Sequence, residues 1–251
     1  NNILYLAGFA LLTSINAKSQ DSLIKQRLPQ SINSYQPAIV PIIDFNDKYL
    51  YFDRKFYYEN VAGIKDRDDI WFAEKISDNA WTIPQIFPTS INTAGSDVLF
   101  FLSPDGNVAL VSGVYSGASK QQGYSLIHKS DAGWSAPQAM NIINYRNDST
   151  VYSATLSADL QTLILSLANE KSIGGMDLFV SHYNKRDNSW SEPKSLGFAG
   201  VNSTFDEASP YLAPNNRTLY FASNRADGLG GMDLYVSQRL DESWANWSSP
   251  R

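Results

Sequence analysis

The chain of 251 residues contains no cysteine. Disulfides, thiolate nucleophiles and cysteine-based zinc sites are excluded by that absence, as is a lipid anchor at a thioether. Histidine occurs twice and methionine three times. Positive charge is also thin, with Lys+Arg 20 against Asp+Glu 25 and a formal net charge of −5. No basic stripe offers the clustered cations that displace counterions from a nucleic acid, so no nucleic-acid partner is expected. No segment sustains a 3.6-residue apolar period. The main apolar block, Ile3 to Leu12, is too short to cross a bilayer and has the length of a signal-peptide h-region. Polar residues Thr13 to Gln20 follow at once, and Ala17-Lys18-Ser19 fits the small-x-small cleavage rule. Residues 1–19 are expected to be a signal peptide whose start is incomplete, the structural alternative being a buried N-terminal helix or strand. Residues 20–32 read as a lead-in. The chain left after signal removal is not expected to span a membrane.

What the chain has in quantity is aromatic and branched residues, with 14 Tyr, 12 Phe and 6 Trp. That composition suits half-buried strands. The pattern is clearest from Ser209 to Pro250. There the Asn215-Asn216 turn signal separates extended runs, Leu219 to Ala222 and Leu234 to Ser237, with Gly228, Gly230 and Gly231 in the gap. Three looser copies lie upstream. Trp-x-x-Pro recurs at Trp81/Pro84, Trp134/Pro137, Trp190/Pro193 and Trp247/Pro250, the tryptophans 53, 56 and 57 residues apart. The copies run over about 33–91, 92–146, 147–201 and 202–251, and the third strands are expected to be headed by Asp69, Ser125, Asp177 and Asp233. A period near 55 residues is too long for helical solenoids and right for four short strands with turns, one blade of a β-propeller.

The fold class expected is therefore all-β, a propeller of four-stranded antiparallel blades. Four repeats are visible, as part of a larger ring. Each blade buries its faces against its neighbours. The Trp is expected to pack between blades, the Pro to sit at a free strand edge, and the Asp to bond backbone amides of the preceding turn. The last copy stops just after Pro250, so an unpaired end blade is expected. Leu28 to Ser34 echoes Pro88 to Thr93 and reads as the tail of a repeat, and so as a strand that can complete the last blade.

Three stretches also carry a resemblance: Ser-Pro-Asp-Gly-Asn at 103–107, Leu-Tyr-Phe-Ala-Ser-Asn-Arg at 219–225 and Gly-Gly-Met-Asp-Leu-Tyr-Val-Ser at 230–237. With Trp-Ser-Glu-Pro at 190–193 and Asp206 to Pro210, they resemble the WD40-like repeats of TolB-type propellers. The resemblance spans residues 33–251. It departs in the second copy, where Ser125 stands for the Asp, and in the first, which carries an insertion, Lys55 to Asp68. It is similar, more widely, to Bacteroidetes envelope proteins that join such a propeller to a C-terminal OmpA-like domain, a domain the 251 residues do not contain. The resemblance implies a non-catalytic scaffold in the periplasm or at the outer membrane, binding an envelope protein or a cell-wall component.

Candidate chemistry is sparse. His128 and His182 fall at the tails of third strands and read as exposed strand ends. Neither a nucleophile elbow nor a phosphate-cradling loop occurs. Asp69, Asp177 and Asp233 recur at one repeat position, which argues for a structural role over a glycosidase acid pair. Asp66, Asp68 and Asp69 could offer oxygens to calcium, but they read as a solvated acidic loop. No catalytic, cofactor-binding or metal residue is assigned, and no cofactor is expected. The aromatic insertion, Phe56, Tyr57 and Tyr58, is a candidate partner-binding loop, because departures from a rigid repeat often carry binding. The alternative function is the propeller of a carbohydrate-active or peptidase-type enzyme.

Overall fold

The computed structural model describes residues 27–251 apart from 79, 89, 117, 118 and 199. The signal peptide expected at 1–19 and the first part of the lead-in lie outside the described residues.

Four capped turns set the architecture. Asp44 Oδ1 accepts from the Tyr49 amide (2.8 Å), Ser103 Oγ from Val108 (2.8 Å), Ser157 Oγ from Thr162 (2.9 Å) and Asn215 Oδ1 from Thr218 (2.9 Å). Two residues before each of these strand starts the backbone is left-handed, at Asp47, Gly106, Leu160 and Asn216. Asp, Gly and Asn tolerate that conformation, and Leu160 is the strained member of the set.

Each turn joins the two inner strands of a blade. Blade 1 comprises β1 (Ala38–Ile43), β2 (Tyr49–Arg54), β3 (Asp69–Ser77), β4 (Ala80–Trp81) and β5 (Gln85–Ile86). Blade 2 comprises β6 (Leu99–Leu102), β7 (Val108–Ser116), β8 (Ser119–Ser130), β9 (Gly133–Trp134) and β10 (Gln138–Ala139). Blade 3 comprises β11 (Ser153–Leu156), β12 (Thr162–Leu167), β13 (Asp177–Asn184), β14 (Ser189–Trp190) and β15 (Lys194–Ser195), and blade 4 has β16 (Glu207–Leu212), β17 (Thr218–Ser223) and β18 (Asp233–Gln238). All pairings between the described strands are antiparallel, in four separate sheets set in a ring as the blades of a propeller. In blades 1 to 3 the fourth strand is two short pieces on one partner, and Pro84, Pro137 and Pro193 stand in the breaks, where a missing amide takes nothing from the ladder. Among the described residues the helical content is one 3-10 turn, Gly63–Lys65, and no helix is long and apolar enough to cross a membrane.

Three apolar cores lie between blades. Tyr51, Ile70, Phe87 and Ile91 meet Leu99, Leu102, Ala109 and Ile127 between blades 1 and 2. Phe101, Leu110, Tyr124 and Met140 meet Leu156, Leu163, Leu165 and Phe179 between blades 2 and 3. Ile164, Leu178, Val180 and Val201 meet Leu212, Leu219, Phe221 and Tyr235 between blades 3 and 4. Trp134, Trp190 and Trp247 each pack into the core shared with the preceding blade. Trp81 lies instead on the outer face of blade 1, with Ile32, Leu50, Phe52 and Trp71.

Two expectations are corrected. Pairing of Val108 with His128 and of Thr162 with His182 places Gly123, not Ser125, at the repeat position of Asp177. Strand β8 begins before it, and Gly123 has a φ of 143° that no carboxylate-bearing residue adopts easily. Nor is the end blade wholly unpaired. Ser248 donates to the Gln238 carbonyl (2.8 Å), and Arg251 exchanges backbone bonds with Val236 (3.0 and 3.2 Å). Among the described residues its edge is bare only from Tyr235 back to Asp233.

Candidate functional site: the mouth of the central channel

The inner strands converge on a cavity of about 360 Å3 at the rim formed by the four capped turns. Blade 1 contributes Pro41 to Phe45, blade 2 Phe100 to Leu102 with Pro104, blade 3 Thr155 and Ala158, and blade 4 Tyr211, Leu212 and Pro214. Three of these inner strands lose register where the lining stands, between Ile39 and Ile42, Leu99 and Phe101, and Ala208 and Tyr211. A bulge turns a side chain that would otherwise follow the pleat, and such bulges gather near functional sites. Val40 and Ser209, each before a proline, have φ values of 48° and 50°. For a β-branched residue such as Val40 that is a strained conformation, held by the surrounding fold. The mouth keeps Ile43, Phe45 and Tyr211 about half exposed. Its one carboxylate, Asp44, is engaged by the Lys48 and Tyr49 amides (2.6 and 2.8 Å).

The repeated acids lie at the opposite rim. Asp69 accepts from the Val61 amide (2.7 Å), Asp177 from Ile173 (2.6 Å) and Gly174 (3.3 Å), and Asp233 from Leu229 (2.7 Å) and Gly230 (2.9 Å). Each Asp thus ties down the loop that leads into its own strand. Burial pushes the pKa of Asp69 up to about 7 and raises that of Asp177. The acidic loop expected to be solvated is not: Asp66, Asp68 and Asp69 are all buried. Ala62 donates to Asp66 (2.9 Å), Ser96 to Asp68, and Lys120 forms an ion pair with the neighbouring buried Asp97. Among the described residues no three His, Asp or Glu side chains converge as a metal site. Asp53, also buried at this junction, has no well-formed hydrogen bond on either oxygen, and burial raises its pKa well above the ordinary value although the nearby Leu99 amide opposes the shift.

The insertion shares that opposite rim. Phe56 and Tyr58 are exposed, but Tyr57 packs edge-on against Trp71 (5.3 Å) and over the Arg54 guanidinium (4.3 Å). His128 is exposed, whereas His182 is partly covered, its pKa lowered by burial, beside Thr162 and Trp244.

Two sets of side chains escaped sequence reasoning. The first is the hydroxyl after each Trp. Oγ1 of Thr82 and Oγ of Ser135, Ser191 and Ser248 accept from the amides of Glu74, His128, His182 and Gln238 (2.9 to 3.0 Å), while their own amides donate to the same residues' carbonyls. The signal was present, since the motif is Trp-Ser/Thr-x-Pro in every copy. The second is the contact made by the asparagine that opens a copy, a residue whose recurrence at Asn33, Asn92, Asn147 and Asn202 is visible in the sequence but whose bonding is not. Asn92 Oδ1 accepts from the Ile70 amide (3.0 Å) and its Nδ2 donates to the Ile70 carbonyl (3.0 Å); Asn202 does the same to Leu178 (2.8 and 2.9 Å). Each asparagine therefore clamps the residue after Asp69 or Asp177, in the third strand of the preceding blade. Asn202→Ala leaves the buried Leu178 amide without its acceptor. It is expected to cost about 2 kcal/mol of stability in urea unfolding, and a loss under about 0.5 kcal/mol would show the clamp to be idle.

No family model and no curated protein matches the chain. Solved structures with the same fold include a TolB-type protein from Agrobacterium tumefaciens, 15% identical with a TM-score of 0.50, over 84% of this chain and 65% of that one. TolB from Acinetobacter baumannii is 16% identical with a TM-score of 0.47, over 81% of this chain and 41% of that one. The catalytic domain of a GH62 α-L-arabinofuranosidase from Coprinopsis cinerea is 11% identical with a TM-score of 0.51, over 86% of this chain and 68% of that one. The chain spans less than two thirds of both TolB structures. At such identities the likeness is one of fold, shared by TolB-type and hydrolase propellers alike.

Proposed function

We propose that this chain is an exported, non-catalytic propeller scaffold that binds a protein segment of the cell envelope through the mouth of its channel. The observation that carries the reading is the lining: half-exposed Ile43, Phe45 and Tyr211 around a 360 Å3 cavity, with the inner strands bulged to present them. Apolar and aromatic groups in a concave site recognise apolar side chains of a partner. The repeated carboxylates point elsewhere and hold loops in place. The leader-like residues 1–19 support export, and the TolB-type fold supports a place in the envelope.

The test is site-directed photocrosslinking in the producing cell, with the photoreactive residue at Phe45 or Tyr211 and, as a control, at exposed Ile76. Discrete adducts from the two mouth positions, lost on Pro41→Asp, support the reading. Adducts no different from those of the control overturn it. Hydrolysis of arabinan by the purified chain, abolished by Asp44→Asn, would establish the enzymatic reading instead.

A further inference from the structure

The outer hairpin of blade 4, residues 239–247, is longer than its counterparts at 75–81, 129–134 and 183–190. Its extra length folds one indole back onto blade 3. Trp244 is 8% exposed in the core shared by those two blades, and its ring meets the His182 ring edge-on (5.5 Å). The Arg239 guanidinium lies over the same indole (4.4 Å), so the ring stands between a histidine and a cation. Trp247 Nε1 donates to the Trp244 carbonyl (2.8 Å), and Asp241 accepts from the Ser243 amide (2.9 Å) and from Asn246 Nδ2 (2.8 Å). The fold of the hairpin is costly. Trp244 has a φ of 62°, which a bulky residue adopts only under the hold of its surroundings. Blade 3 makes room for it: a Cβ on Gly197 would lie 2.5 Å from the Ala245 carbonyl oxygen, and the residues matching Gly197 in blades 1 and 2 are Pro88 and Asn141.

The hairpin is also tied to the mouth of the channel. Arg239 Nε donates to the Asn216 carbonyl (3.1 Å), and Asn216 Nδ2 donates to Asp159 Oδ2 (3.1 Å). Asn216 belongs to the capped turn of blade 4 and Asp159 to that of blade 3. Those two turns carry Pro214 and Ala158, which line the mouth. One line of contacts therefore runs from His182 through Trp244, Arg239 and Asn216 to the wall of the mouth. His182 is the group in this line that titrates near neutral pH. Its Nδ1 lies 3.4 Å from Thr162 Oγ1, and the charges acting on it are cations, Lys194 on β15 and Arg239 from blade 4. The carboxylates of the surrounding loops are engaged elsewhere. Ser157 and Gln161 bond Asp159, Ser243 and Asn246 bond Asp241, Arg239 pairs with Glu242, and Lys171 and Asn144 hold Glu192.

We infer that residues 239–247 form an acid-released clasp, which fixes the blade 4 turn at the mouth while His182 is neutral and frees it when His182 takes a proton. The consequence for a partner rests on the mouth being the binding site, whereas the clasp itself does not. A protonated imidazole here would be set against Lys194 and Arg239 with no free carboxylate to receive it. Burial first, then those two cations, hold the His182 pKa below its ordinary value. A released His182 binds its proton at about pH 6.5, and the clasped one only at lower pH. The clasp is therefore fully stabilised above about pH 6.5 and loses stability as the pH falls below it. The strained backbone at Trp244 favours release once the ring loses its seat.

The test is hydrogen exchange on the full chain at pH 8 and pH 5, expressed as protection factors. The Leu240 amide, which donates to the Asn246 carbonyl (2.9 Å), reports the hairpin, and the Asn216 amide, which donates to Ala213 (2.9 Å), reports the turn. Protection at both is expected to fall at least about threefold at pH 5, while amides of β12 in the core lose none. His182→Gln keeps a polar group beside Thr162 and cannot take the charge, so it should abolish the fall at both amides. Trp244→Ala should leave the Asn216 amide poorly protected at both pH values. Unchanged protection of Leu240 between pH 8 and pH 5 overturns the clasp, as does a fall that persists in His182→Gln. An Asn216 amide that stays protected when Leu240 opens, or in Trp244→Ala, overturns the link to the mouth. Because exchange is read without a partner, none of these outcomes depends on the photocrosslinking that judges the mouth as a binding site.

Discussion

Trp190→Ala is expected to lower the unfolding free energy by about 4 kcal/mol, the middle of the range for truncating a buried aromatic in a core. The ring is buried at the contact of blades 2 and 3 with Phe101, Leu110 and Met140, and it stacks at a tilt on Tyr183 (5.4 Å). Its backbone is also tied across the junction, donating to the Asn141 carbonyl (2.7 Å) and accepting from Ile143 (3.0 Å). Those bonds hold the vacated site open, so the cavity cannot collapse and its full cost is felt. Trp81 occupies the same repeat position on the outer face of blade 1, where, among the described residues, no sheet of a preceding blade covers it. Trp81→Ala is therefore expected to cost roughly half as much. Urea unfolding of the two variants makes the comparison, and equal losses would show that the packing between blades is not what the tryptophan serves.

The second large effect is a stability that falls as pH rises. Asp53 is fully buried on β2 with no well-formed hydrogen bond; burial first, then the charges of Asp68, Asp97 and Asp69, raise its pKa well above the ordinary value against the opposing pull of the Leu99 amide. Asp69 is likewise pushed up to about 7 by burial. An unfolded aspartate releases its proton near pH 3.9. Between that pH and the raised values, the folded chain holds protons that the unfolded chain has lost, so stability declines through this window. The melting temperature is expected to be higher at pH 5 than at pH 8, at constant ionic strength. Asp53→Asn keeps the volume and cannot ionise. Its stability relative to the parent should therefore rise by at least about 2 kcal/mol from pH 5 to pH 8, since linkage contributes up to about 1.4 kcal/mol per pH unit. Ser166, the counterpart of Asp53 in blade 3, donates to the Glu207 carbonyl of the next blade (2.8 Å), the kind of partner Asp53 lacks. A melting temperature that rises from pH 5 to pH 8, or a variant with the parent's pH profile, would contradict this account.

The strand after the Asn215-Asn216 turn was legible because the chemistry of that turn is local, and the strands that start at Tyr49, Val108 and Thr162 follow turns of the same kind. An acceptor side chain caps the amides of the next few residues, so turn and strand can be read from one short stretch. Asp69, Asp177 and Asp233 were legible as strand heads for the same reason. The second copy misled because Gly123 replaces the acid, and a spacing taken from neighbouring copies then falls on Ser125. Asp66 and Asp68 misled in the opposite way. Three acids in four residues look solvated until blade 2 is seen lying across them with Ser96 and Lys120.

By itself the sequence determined the repeat and the blade, properties set by short-range geometry and repeated four times over. Only the tertiary structure decided what lies between repeats. The aromatic mouth gathers residues from four blades over more than 170 positions of chain, from Pro41 to Pro214. The asparagine clamps act on the preceding blade. The physical reason is that a β-blade satisfies its backbone within itself but buries its faces only against a neighbour. What each face meets therefore depends on the order of the blades, not on the pattern within any one of them.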